Sequence, residues 1–286
     1  MSRFSFQQVD VFTDQPLKGN PLAVVVGADG LSGGTMASVG NWTNLSETTF
    51  LLTPAAPAAD YRVRIFTPER ELPFAGHPTL GSCQVWLNSG GVPKQSYIVQ
   101  ECAAGLIRIR RDGNRLAFAA PPLRRTGPVE PDLLGKIAHG LRIKPEAIEA
   151  SQWVDNGPGW VAVMLGSRAE VLALKPDYPG LLGVHLGVVG PWTAADGKGA
   201  DFEVRAFIPS RASEDPVTGS LNAGLAQWLI GGGLAPSSYI ASQGAALGRA
   251  GRVHVERDGD DIWIGGNTVT VVNGTIDLTL VMNRAT

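Results

Sequence analysis

The sequence predicts an α+β protein of two similar domains, each with many strands around one central helix and with the active site in the cleft between them. Three observations carry this. Residues 71–81 read ELPFAGHPTLG and residues 214–224 read EDPVTGSLNAG, so E-x-P-x-x-G-x-x-x-x-G occurs twice. Upstream, Arg64-Ile65-Phe66-Thr67-Pro68 is answered by Arg205-Ala206-Phe207-Ile208-Pro209. Glu71 and Glu214 are 143 positions apart but Arg64 and Arg205 are 141 apart, so the second copy carries a two-residue insertion. Finally, short alternating runs outnumber helical ones in both halves. Two copies of about 140 residues are too long and too few for a solenoid.

In the first half, Phe4 to Phe12 and Pro21 to Val26 read as strands around a polar turn at Thr13 to Asn20. Thr48 to Leu52 and Tyr61 to Phe66 follow, the latter alternating cleanly. A helix is expected near His77 to Asn88, then strands at Ser96 to Gln100, Gly105 to Arg111 and Arg115 to Ala119. Pro121-Pro122 and Thr126-Gly127-Pro128 mark a boundary. This sets domains at 1–120, completed by a last strand at about 277–286, and at 121–276. In the second half, helices are expected at Asp132 to Gly140, Pro145 to Ala150 and Arg168 to Leu174. Strands are expected at Gln152 to Asp155, Trp160 to Leu165 and Phe202 to Ile208. The repeated helix runs from Ser220 to Ile230 and stops at Gly231-Gly232-Gly233. Strands between Ser238 and Val281 close the chain.

Each repeat places a Pro/Gly turn before a helix. Glycine supplies the turn's unusual φ values, and Ser220, with His77 at the matching place, stands where a helix cap would sit. A helix start gathers free N–H groups and the positive end of the dipole, a ready site for a carboxylate or phosphate. Either turn alone reads equally as a tight, capped connection; the duplication favours a binding role.

Composition narrows the function. At 286 residues, 44% hydrophobic and 17% charged, the chain suits two soluble domains with real cores. A net charge of −2 and a pI near 6.1 recommend neither nucleic acid nor an anionic membrane as partner. The N-terminus shows no signal peptide and no run is long enough to span a membrane. Two cysteines outside any CxxC, with histidines scattered at 77, 139, 185 and 254, argue against a metal site and fit a cytoplasmic protein.

Several segments together resemble the PhzF family of phenazine-biosynthesis-like isomerases. They are Val9-Asp10-Val11-Phe12 with Gly19-Asn20-Pro21, Ser46-Glu47-Thr48-Thr49-Phe50, Phe66-Thr67-Pro68 through Thr79, Glu214 through Ser220, and Gln243-Gly244 with Gly248-Arg249. The resemblance covers almost the whole chain. It implies the diaminopimelate epimerase fold, in which each domain is a β-barrel-like mixed sheet wrapped around a helix. It also implies acid/base chemistry with no cofactor or metal on a small anionic metabolite, and a homodimer.

By the same resemblance, Glu47 is the proton shuttle, and His77, Asp215 and Ser220 complete its site. On the residues alone, Glu47 reads more readily as a solvated carboxylate before a strand. His77 could hydrogen-bond substrate or carry a proton near neutral pH. Asp215 could orient His77 or bind an amine or hydroxyl, or be a turn residue. Ser220 with the N–H groups around Gly76 and Gly219 would hold the substrate carboxylate. Asn20 is a binding or a turn residue, and Trp42, Trp153 and Trp160 line the pocket or belong to the core. The places where related racemases carry paired cysteines hold His77 and Ser220, which argues against a two-thiolate racemase. The expected function is an isomerase similar to trans-2,3-dihydro-3-hydroxyanthranilate isomerase. The alternative is a non-catalytic metabolite sensor on the same scaffold, which would have no need of Glu47.

Overall fold

The computed structural model describes residues 3–282. The chain divides into two compact units. The first holds β1 (Arg3–Val11), β2 (Asn20–Val26), α1 (Gly33–Thr43), β3 (Thr48–Leu52), β4 (Tyr61–Phe66), β5 (Glu71–Leu72), α2 (Gly76–Asn88), β6 (Ile98–Cys102), β7 (Gly105–Asp112) and β8 (Arg115–Ala119). The second holds β9 (Arg125–Gly127), α3 (Pro131–Leu141), β10 (Ala150–Asp155), β11 (Trp160–Met164), α4 (Arg168–Ala173), β12 (His185–Pro191), β13 (Phe202–Ile208), β14 (Ser213–Asp215), α5 (Gly219–Gly231), β15 (Ser238–Gln243) and β16 (Gly251–Asp258). After β17 (Asp261–Gly266) come β18 (Thr268–Asp277), which pairs antiparallel with β1, and the single-turn helix α6 (Thr279–Met282).

That pairing moves a boundary. Residues from Gly265 onward group with the first unit, and Ala120–Ile264 form the second. The sequence reading placed the returning strand at about 277–286. It instead starts at Thr268, because β1 needs a partner along its whole length. Residues 283–286 lie outside the described residues.

The two units repeat one wiring. In the first, β2 and β3 are parallel across α1, β3 and β4 antiparallel, β4 and β5 a hairpin, and β4 and β6 parallel across α2. In the second, β11 and β12 are parallel across α4, β12 and β13 antiparallel, β13 and β14 a hairpin, and β13 and β15 parallel across α5. Phe66 faces Glu71 in one hairpin and Phe207 faces Glu214 in the other, so the two-residue insertion falls in the turn, as the short helix Pro209–Arg211. The glutamate of each repeat ties its strand of the hairpin to the neighbouring strand: Arg64 grips Glu71 through two hydrogen bonds of 2.7 Å, and Arg205 grips Glu214 at 3.0 and 2.7 Å.

α2 packs against β1, β2, β3, β4, β6, β8 and β18, so its first turns are buried on all sides. α5 likewise buries Leu221, Ala223, Leu225, Ala226, Trp228 and Leu229. The second glycine of each repeat permits this approach. A Cβ on Gly81 would lie 2.5 Å from Leu22 Cδ2, and one on Gly224 would lie 2.3 Å from the Val154 carbonyl oxygen.

α1 was not expected from the sequence, because its Gly33-Gly34 start and weak amphipathicity hide it; Ser32 caps it by accepting from the Thr35 N–H. Its apolar side joins Val25, Phe50 and Phe66 in a core with Met36 and Val39. The helix expected at Pro145 to Ala150 is only a single turn, Pro145–Ala147, before β10.

Candidate active site

In the first unit, side chains on β3 alternate across the sheet. Thr49 faces α2 and accepts from Ser82 Oγ at 2.9 Å. Two residues earlier, Glu47 therefore faces the start of the same helix, where His77 stands. Glu47 Oε2 lies 3.4 Å from His77 Nε2, with the side chains 15% and 6% exposed. Asn20, fully buried at the head of β2, donates its Nδ2–H to His77 Nδ1 at 3.4 Å. An imidazole that accepts at Nδ1 and is neutral carries its proton on Nε2, the nitrogen beside Glu47.

The distance between Glu47 and His77 would suit an ion pair, but burial keeps the ring uncharged. Desolvation lowers the His77 pKa from its ordinary 6.5 to about 3. This corrects one expectation: His77 does not take up a proton near neutral pH. It remains a hydrogen-bond donor.

The helix starts also differ from the expectation. Neither His77 nor Ser220 is a cap. The cap positions are Ala75 and Thr218, neither of which caps through its side chain, and Gly76 and Gly219 are the first helical residues. Neither of these glycines has a positive φ, so they are not there for turn geometry. They leave bare backbone at the first turn of an uncapped helix.

In the second unit, a buried glutamine organises the turn. Gln243 Oε1 accepts from the Thr218 N–H at 3.0 Å and from Asn222 Nδ2 at 2.9 Å. Its Nε2 donates to the Asp215 carbonyl at 3.1 Å and to Thr218 Oγ1 at 3.0 Å. Thr218 in turn donates to Asp215 Oδ2 at 2.5 Å, which sets the carboxylate. Gln100 is its counterpart in the first unit, donating to Thr79 Oγ1 and accepting from Tyr61, both at 3.0 Å. Gln100 and Gln243 are 143 positions apart, the offset of the repeat, so the sequence carried this signal unread.

Freed from capping, Ser220 Oγ accepts from Trp160 Nε1 at 3.0 Å, while its carbonyl accepts from Asn156 Nδ2 at 2.8 Å. Of the three tryptophans considered, Trp160 alone touches a predicted site residue. Trp42 is 77% exposed, and Trp153 lies under Arg125 with its Nε1 on Glu130. The orienting contact on His77 comes from Asn20, and Asp215 is positioned by Thr218.

The cysteines are unsuited to base catalysis. Burial pushes the Cys83 thiol up to about 12 and raises that of Cys102. Among the described residues, no group of three or more His, Cys, Asp or Glu could hold a metal ion, and no helix is long and apolar enough to cross a membrane.

Comparison with known proteins completes the picture. The family model described as phenazine biosynthesis-like protein matches residues 9–274. Antisense-enhancing sequence 1 of Schizosaccharomyces pombe is 35% identical over 96% of this chain and 99% of its own. Trans-2,3-dihydro-3-hydroxyanthranilate isomerase of Pseudomonas aeruginosa is 34% identical over 88% of this chain and 89% of its own. A crystal structure of a phenazine biosynthesis protein of the PhzF family from Enterococcus faecalis superposes with a TM-score of 0.80 at 27% identity, covering 96% of this chain and all of that one. The fold is the two-domain α+β one expected.

Proposed function

Because the chain belongs to the phenazine biosynthesis-like protein family, we propose that it is an isomerase that moves a proton between two carbons of a small carboxylated metabolite, cyclic or unsaturated, with Glu47 as the acid/base. The observation that carries this reading is the partly buried Glu47 carboxylate set 3.4 Å from the Nε2 of a histidine that burial keeps neutral. A carboxylate there can take a proton from a C–H bond, become the neutral acid, and return the proton to a second carbon, leaving the double bond shifted and no net change in charge. His77 Nε2–H, 3.4 Å away, would need only a small approach to donate to the carboxylate oxygen between the two transfers, and its lowered pKa keeps it from competing for the proton. Asn20 fixes the tautomer that makes this possible. In the first unit the helix start at Gly76 would hold a substrate carboxylate; in the second, the helix start at Gly219 with Ser220 offers the same chemistry, and Asp215 would take an amine or hydroxyl.

A relative named for trans-2,3-dihydro-3-hydroxyanthranilate makes that compound the first probe. Wild type and Glu47→Gln are compared for binding, turnover and uptake of deuterium from D₂O. Glu47→Gln is expected to keep binding within a fewfold and to lose at least about 10³-fold in turnover and C–H exchange, on the scale of a lost general acid/base. Unchanged exchange in Glu47→Gln would end the assignment of Glu47. Binding without exchange in wild type would mark a binding protein instead.

A further inference from the structure

The repeated wiring identifies a residue of the second unit that the sequence reading passed over. In the first unit Thr48 faces Phe66, and in the second Leu186 faces Phe207. Phe66 and Phe207 hold the same place in the repeat, so Thr48 corresponds to Leu186, and the residue before it, Glu47, corresponds to His185. The parallel pairings agree: Ala23 faces Thr48 and Val161 faces Leu186, which makes Leu22 the counterpart of Trp160. Ser220 is already the counterpart of His77. The second unit thus carries His185 where the first carries its carboxylate, beside the matching helix start.

The contacts fix what these side chains offer. His185 Nδ1 lies 2.6 Å from the Pro158 carbonyl oxygen, which can only accept, so Nδ1 bears a proton and the uncharged form of the ring offers Nε2 as an acceptor. The half-buried His185 ring sits 5.5 Å, centroid to centroid, from the Trp160 ring. Trp160 Nε1, which can only donate, occupies a lone pair of Ser220 Oγ, so the Ser220 hydroxyl proton is left to donate elsewhere. One donor and one acceptor therefore flank Trp160.

Resting on the isomerase reading, we infer that His185 is a substrate-binding residue that selects carboxylates bearing an adjacent amino or hydroxyl group, its Nε2 accepting from that group while Ser220 donates to the carboxylate. A carboxylate without such a group has nothing to give His185.

The test uses two probes that differ by one donor, anthranilate and benzoate, with wild type and His185→Phe. Wild type is expected to favour anthranilate, and His185→Phe to lose about tenfold in anthranilate affinity, the scale of one hydrogen bond, while benzoate affinity stays unchanged. Equal loss on both probes, or none on either, overturns the inference. A variant that fails to fold is bypassed in wild type by the imidazole ¹⁵N spectrum. Anthranilate, but not benzoate, should move the Nε2 resonance of His185, and a resonance indifferent to both probes overturns the inference. If wild type binds neither these probes nor the dihydro compound above, this inference falls, while the isomerase class stands with its substrate outside that chemical family. Binding that ignores His185 leaves that reading standing.

Discussion

A single histidine sets the acid behaviour of the candidate site. His77 stays neutral when folded because charging it would strand a cation away from water. In the unfolded chain its pKa returns to the ordinary 6.5, against about 3 when folded. The unfolded state therefore binds the extra proton between those values. The contribution is fully present above pH 6.5 and is lost as pH falls towards 3, with a slope approaching 1.4 kcal/mol per pH unit, or about that for one proton. Denaturant unfolding from pH 7 to pH 4 should show this loss, and His77→Asn should flatten it. In the same experiment series, the pH profile of kcat/KM between 5 and 8 should carry no inflection that His77→Asn removes. Such an inflection would show that the ring titrates near neutrality after all. The residue types at this site were readable from the sequence; their protonation was not, since burial comes from strands and a helix distant in the chain.

At the scale of elements, the repeat told most of the story. The strand, hairpin and helix that carry the site were visible as a spaced pattern, including the glutamates that tie the strands of each hairpin. The start of each helix was misplaced by one residue and its cap by two, because Ser220 resembles a cap, whereas Thr218 occupies that position and spends its hydroxyl on Asp215. Gln243 was visible only as part of the resemblance, and its correspondence with Gln100 went unread, because a lone glutamine in a strand usually faces water and only the tertiary fold buries it. The second glycine of each repeat gives a graded prediction. Gly224→Ala drives a methyl to 2.3 Å from the Val154 backbone, which must shift, whereas Gly81→Ala meets side-chain methyls of Leu22, Val11 and Val9 that can partly yield. Gly224→Ala should cost about 3 kcal/mol or more and Gly81→Ala about 1–2 kcal/mol, on the scale of an overpacked core. Equal losses in urea unfolding would mean that both helices can move off their sheets.

For the whole molecule, two similar units followed from the duplication, but the seam between them did not. Pro121-Pro122 pointed close to the true boundary at Ala120, yet nothing local shows that Thr268–Asp277 must travel back to β1. Register across more than 250 residues is set by which edge lacks a partner, and a single sequence hides that. The second unit is continuous and keeps its own core of Ile137, Leu141, Val161, Val163, Leu186, Val188 and Phe207. A fragment of residues 120–264 should therefore unfold cooperatively by itself. A fragment of residues 1–264 should leave β1 with an open edge and self-associate, which light scattering would detect.

The return of β18 also reverses the order in which the protein is finished on the ribosome. The first unit is begun first, but its closing strand β18 is translated only after a complete second unit has emerged. At typical elongation rates that interval is on the order of ten seconds, long compared with the folding of a domain. The chain enters and leaves the second unit at neighbouring points, with the Ala120 N–H bonded to the Ile262 carbonyl at 2.7 Å. The inserted unit can thus close on itself while the older one waits, one edge of its first strand still open, for β18 to be made.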